Sequence, residues 1–150
     1  MILWRMCSPG TRGCIALGTA IFGTNRSLQF IDLRSNDIQN QAMYVCGEVL
    51  RKRLDRGSCG ELGGNRPPPA LVTFDVQRNR IGGYGVSAEL PGLMEFLDGM
   101  NEMVSCRSTP KDNDGISVFL SGNAIRPKMA RNMVAKFTGT RLKLFVDVRQ

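Results

Sequence analysis

The side chains in this sequence that could do chemistry are mostly cations. The chain has no histidine, and its 20 lysines and arginines outnumber 13 aspartates and glutamates for a net charge of +7. A chain without imidazole lacks the usual general base. It also shows no phosphate loop ending in Gly-Lys-Ser/Thr and no nucleophile elbow, and Gly82-Gly83-Tyr84-Gly85 is not the dinucleotide fingerprint. These absences argue against an enzyme. What remains is phosphate contact by arginine and lysine, with a base stacked on an aromatic ring. Three groups of residues offer it: Arg78, Arg80 and Tyr84; Arg51, Lys52 and Arg53; and Arg126, Lys128 and Arg131. The ordinary alternative for the second group is a solvated helix end, where cations complement the negative end of the helix dipole.

Metal and redox chemistry find little support. Cys7, Cys14, Cys46, Cys59 and Cys106 have no Cys-x-x-Cys spacing and no histidine to join them, so neither a metal nor another cofactor is expected. The plain reading is reduced thiols serving as small apolar side chains in the cytoplasm or another reducing compartment. Asp112-Asn113-Asp114-Gly115 opens like a calcium loop, but no glutamate closes the twelve-residue frame. Met1 to Ile31 carries Arg5, Arg12 and Arg26 without an acidic residue, as organelle presequences also do, which leaves import open. The apolar run Cys14–Phe22 is too short to span a bilayer.

The elements that must position the cations begin with Leu71 to Leu90. Val72, Phe74 and Val76 alternate with polar residues, Tyr84, Val86, Ala88 and Leu90 do so again, and Arg78 to Gly83 supplies a glycine-containing turn. The pattern predicts a β-hairpin with a basic tip. Upstream, Cys14–Phe22 and Leu28–Leu33 read as strands. Ser35-Asn36-Asp37 offers caps for a helix carrying Ile38, Ala42, Val45, Val49, Leu50 and Leu54, which ends among Arg51, Lys52, Arg53 and Arg56. Gly57 to Pro69 is a Gly/Pro-rich loop within a single domain spanning 1–150. Downstream, Pro91 starts a helix with the stripe Leu93, Phe96, Leu97, Met100, Met103 and Val104. Ile116–Leu120 is a strand, Ala124 to Phe137 a basic helix, and Leu142 to Val148 a last strand.

From Leu28 to Leu120 the expected order is strand, helix, strand, strand, helix, strand. The fold class expected is therefore α+β: a mainly antiparallel sheet backed by two or three helices, with a ferredoxin-like βαββαβ core, an added N-terminal strand and a C-terminal helix–strand unit. Within that frame Arg80 and Gly83-Tyr84-Gly85 resemble the basic-Gly-aromatic-Gly stretch of RNA-recognition domains, and Asp98-Gly99-Met100-Asn101 is similar to the ending of their second helix. Val86 stands where that family has its second aromatic, and the likeness covers a minor part of the chain.

The functional expectation is a non-catalytic basic domain that binds nucleic acid, RNA or single strands, through phosphate contacts. The alternative is a structural or adaptor subunit of a larger assembly, docked on an acidic protein partner or joined by strand addition, with homo-oligomerisation open.

Overall fold

The computed structural model describes residues 1–3, 10–25, 27–55, 70–82, 90–106 and 115–147. Strands and helices alternate along the chain: β1 (Ile2–Leu3), α1 (Gly10–Gly23), β2 (Phe30–Asp32), α2 (Asn40–Arg53), β3 (Thr73–Asp75), α3 (Pro91–Ser105), β4 (Ile116–Phe119), α4 (Pro127–Phe137) and β5 (Leu142–Phe145). The strands form one sheet in sequence order, β1-β2-β3-β4-β5, and every pair is parallel. The register brings Ile31, Phe74, Val118 and Leu144 onto one line across the sheet.

This architecture corrects the antiparallel, ferredoxin-like expectation. β3 has β2 on one side and β4 on the other, so both its edges are taken and no hairpin partner follows it. The proposed return strand from Tyr84 falls mostly on residues 83–89, outside the described residues, and Leu90 is the left-handed residue before α3. Cys14–Phe22, expected as a strand, lies inside α1, which buries Cys14, Gly18, Ile21 and Phe22 at helical spacing. Alternation along a strand shows only that one of its faces is covered, and it says nothing about strand direction. Parallel sheets usually have helices on both faces and read as continuous apolar runs. Here one face of the sheet is buried against helices and the alternate side chains stay more exposed, so the parallel strands alternate as antiparallel ones do.

The core lies between the sheet and the helices. Phe22 from α1, Phe74 from β3 and Phe96 from α3 form an aromatic triangle with ring centroids 5.1–5.9 Å apart, each contact worth about 1 kcal/mol beyond simple burial. Met100 and Met103 of α3 are fully buried in this core, with Met94 partly buried against it. α2 and α3 approach closely because Gly47 and Gly92 lack side chains. A β-carbon at Gly92 would lie 2.7 Å from Tyr44 Cβ, and one at Gly47 would lie 3.0 Å from the Phe96 amide nitrogen.

The turns after the strands repeat as well. Ile31-x-Leu33-x-x-Asn36-x-Ile38, Phe74-x-Val76-x-x-Asn79-x-Ile81 and Val118-x-Leu120-x-x-Asn123-x-Ile125 occupy equivalent places, and every apolar residue of the three is buried. In each unit the residue before the asparagine has positive φ: 58° at Ser35, 52° at Arg78 and 74° at Gly122. That bend turns the asparagine inward. Asn79 Oδ1 accepts from the Asn36 and Ile38 amides at 2.9 and 3.0 Å, and its Nδ2 donates to the carbonyls of Leu33 and Val76, both at 2.9 Å. Asn123 repeats the arrangement one unit on, donating to Val76 and Leu120 and accepting from the Ile81 amide. The asparagines thus form a ladder that satisfies turn backbone left without partners by the short strands. Ser35-Asn36-Asp37 does not cap α2, whose N-cap is Gln39.

Candidate interaction surfaces

Because the core-facing residues alternate with outward ones, the face of the sheet that no described helix covers is set by the register. Phe30, Thr73, Ser117 and Lys143 form one row, and Asp32, Asp75, Phe119 and Phe145 the next. Across β2 and β3 this face is ionic. Arg34 Nη2 donates to Asp32 Oδ2 at 2.8 Å, its Nε donates to Asp32 Oδ1 at 3.0 Å, and Nε lies 3.3 Å from Asp75 Oδ2. Across β4 and β5 it is aromatic. Phe119 and Phe145 stack with centroids 4.4 Å apart and planes 10° from parallel, and Phe145 is 44% exposed, as is Phe30. Exposed aromatics on a rigid sheet provide large contact area with little side-chain entropy to lose.

The predicted cations do not share one place. Arg78 and Arg80 sit on the turn after β3, and Arg126 and Lys128 follow the equivalent turn after β4; all four are exposed. The two turns touch: the Arg78 amide donates to the Ser121 carbonyl at 2.9 Å, and Gly82 bridges Ala124. Arg80 also pairs with Asp37 at 3.0 Å. Arg131 lies further along α4, exposed. Arg51, Lys52 and Arg53 occupy the last turn of α2, away from the turns that start the helices. Two of them have structural work. Arg51 pairs with Glu95 of α3 at 3.0 Å, while Arg53 Nη1 donates to the carbonyls of Phe22 at 2.9 Å and Asn25 at 3.1 Å, closing the end of α1. Tyr84, and with it the glycine-aromatic likeness to RNA-recognition domains, lies outside the described residues.

Cys14 and Cys46 are buried free thiols that face each other between α1 and α2. The hydrogen bond to Cys14 and then burial push the Cys46 thiol far above its ordinary range. Cys106 is disulfide-bonded, which departs from the expectation of five reduced thiols. Among the described residues no cluster of three metal-ligating side chains occurs, and no helix is long and apolar enough to cross a membrane. The calcium-like Asp112–Gly115 stretch and the Gly57–Pro69 loop lie almost wholly outside the described residues. Comparison of the chain with protein-family models, with curated proteins and with solved structures finds no match.

The sequence pattern missed in strand-by-strand reading is the repeat. Asn36, Asn79 and Asn123 stand 43 and 44 positions apart, each two residues before an isoleucine and three after a buried aliphatic residue. Self-comparison at that spacing finds it; local hydrophobic periodicity does not.

Proposed function

We propose that the chain is a non-catalytic, protein-binding adaptor whose partner seats an apolar anchor on the sheet face opposite the described helices. The observation that carries this reading is the stacked Phe119–Phe145 pair, half in solvent on a face that no described helix covers, beside the Arg34–Asp32–Asp75 cluster. Stacks of strand-turn-helix units use such faces as extended binding surfaces, since each unit contacts only its neighbours and leaves one side of the sheet open. The unit pattern also resembles that of leucine-rich repeats, Leu-x-x-Leu-x-Leu-x-x-Asn-x-Leu: Leu28, Ile31, Leu33, Asn36 and Ile38 fill it, as do Leu71, Phe74, Val76, Asn79 and Ile81. The spacing between units here is longer than in that pattern, with residues 56–69 and 107–114 lying between a helix and the next strand.

The second reading, nucleic-acid binding, draws on the meeting of Arg78, Arg80, Arg126 and Lys128 along adjoining turns. Two variants separate the readings. Phe145→Glu places a charge in the aromatic pair, while Arg78→Gly removes a rim cation at a left-handed position that glycine occupies freely. Affinity capture after nuclease treatment, with folding checked by circular dichroism, is expected to recover a partner with the native protein and Arg78→Gly and to lose it with Phe145→Glu. A partner retained by Phe145→Glu overturns the adaptor reading. Salt-sensitive binding of single-stranded RNA that weakens in Arg78→Gly supports the second.

A further inference from the structure

α1 and α2 meet through two thiols. Cys14 and Cys46 are both free and almost wholly buried, at 1% exposure each, among the apolar side chains of the core. Cys14 and Gly18 lie one helical turn apart on the buried side of α1. Cys46 Sγ rests against the bare Gly18 backbone, where any β-carbon would collide with it, and it shares a hydrogen bond with Cys14. The missing side chain thus seats one sulfur beside the other.

The surroundings select among the fates open to such a pair. A metal held by two thiolates would bury negative charge, and among the described residues no third ligating side chain joins them. A disulfide is neutral and apolar, and suits the same pocket as the two thiols. The closed structure denies only access, since no small oxidant reaches sulfurs this deeply buried. α1 supplies the route. Its glycines and its β-branched Ile15, Thr19 and Ile21 give it weak helical preference, so docking holds it in place. Polar contacts pin that docking at both ends of the helix: the Gln39 amide donates to Thr11 Oγ1 at 3.2 Å, and Arg53 reaches the carbonyls of Phe22 and Asn25. Parting of α1 from α2 exposes both thiols together.

We propose that Cys14 and Cys46 form a redox latch: a low-molecular-weight disulfide such as oxidised glutathione converts the pair to an internal disulfide that fixes α1 on α2. With the helices parted, the thiolate of one cysteine attacks a sulfur of the glutathione disulfide. A mixed disulfide forms, and one glutathione leaves with the proton that the cysteine gave up. The other cysteine then attacks the protein sulfur of the mixed disulfide and expels the second glutathione, which takes up the second proton. The cysteines together lose two electrons and two protons, and the glutathione disulfide gains them as two thiols. Excess thiol reverses both steps. The reduced pair leaves α1 free to open from α2, and the disulfide holds it shut.

The test incubates the full chain in glutathione buffers of increasing disulfide fraction, blocks the remaining thiols with iodoacetamide and maps tryptic peptides by mass spectrometry. Cleavage after Arg12, Arg26, Arg34 and Arg51 leaves Cys14 and Cys46 in separate peptides, 13–26 and 35–51, each with no other cysteine. The expected result is a linked pair of these peptides that grows with the disulfide fraction. Hydrogen exchange in α1 should slow by about tenfold and the melting temperature rise by about 5–10 °C as it does so. Cys46→Ala should keep its circular dichroism spectrum and lose every one of these changes. Cys14→Ala should do the same and serves where the first variant does not fold; the peptide map of the native chain decides where neither does. A linked pair that is absent in fully oxidised buffer, glutathione retained on both cysteines, or a linked pair that leaves exchange in α1 unchanged overturns the proposal. Stoichiometric copper(I) or zinc held by the reduced chain, with no linked pair on oxidation, does so in favour of a metal site.

Discussion

Asn79 does more backbone bonding than any strand residue beside it. Its side-chain amide bonds five main-chain groups across two units, among them Leu33 and Ile38, more than forty positions upstream. Truncation in Asn79→Ala leaves buried donors and acceptors without partners, and we expect a loss of about 3 kcal/mol in urea unfolding. A second expectation concerns Cys46. Its thiol, held neutral by Cys14 and burial, ionises in the unfolded chain near its ordinary value of 9.0 but not in the folded one. The unfolded state therefore releases the proton first as pH rises. The contribution is fully present below that value and is lost above it, at up to about 1.4 kcal/mol per pH unit. Denaturation series at neutral and alkaline pH should show this decline in the native protein and a shallower one in Cys46→Ala.

At the scale of elements, the packing of α2 on α3 depends on missing side chains at Gly47 and Gly92. Gly92→Leu would drive a side chain into Tyr44 of α2, whose Cβ, Cα and amide nitrogen are the nearest atoms and, being fixed by the backbone, cannot swing aside. We expect a destabilisation of about 2–3 kcal/mol by thermal melting, whereas substitution at Gly139, with nothing within 4 Å, should be limited to the penalty of its positive φ of 81°. The helices were the more legible elements. Pro91 at the start of α3 and the stripe from Leu93 to Val104 mark it by spacing and cap alone. α1 was not legible. Its glycines and β-branched Ile15, Thr19 and Ile21 favour no helix, and its docking on α2 overrides that local preference.

For the molecule as a whole, a stack of units with strands in sequence order makes contacts mainly between neighbours, so damage at one end should stay local. Leu142→Ala at the C-terminal edge is expected to remove about 3 kcal/mol locally. Hydrogen exchange should accelerate in α4 and β5 while α2, β3 and α3 keep their protection; uniform acceleration across the chain would show a single cooperative unit instead. The same one-dimensional order separates the charges. Arg51 to Arg53 at a helix end stand apart from Arg78, Arg80, Arg126 and Lys128 at the turns, although all belong to one basic excess in the sequence.

The amino-acid sequence by itself determined which residues are apolar and at what period, and so located α2, α3, α4, β2, β3, β4 and β5 to within a few residues. It also determined the absence of histidine and the cationic excess. Tertiary structure alone decided strand direction, because alternation reports a covered face and a half-covered parallel sheet alternates like a hairpin. It also decided that Asn36 and Asn79 are buried and that Asn79 and Asn123 form a ladder, since the backbone groups those two satisfy come from different units. And it decided which aromatics meet: Phe119 and Phe145 lie 26 positions apart and stack only because β4 and β5 pair in that register.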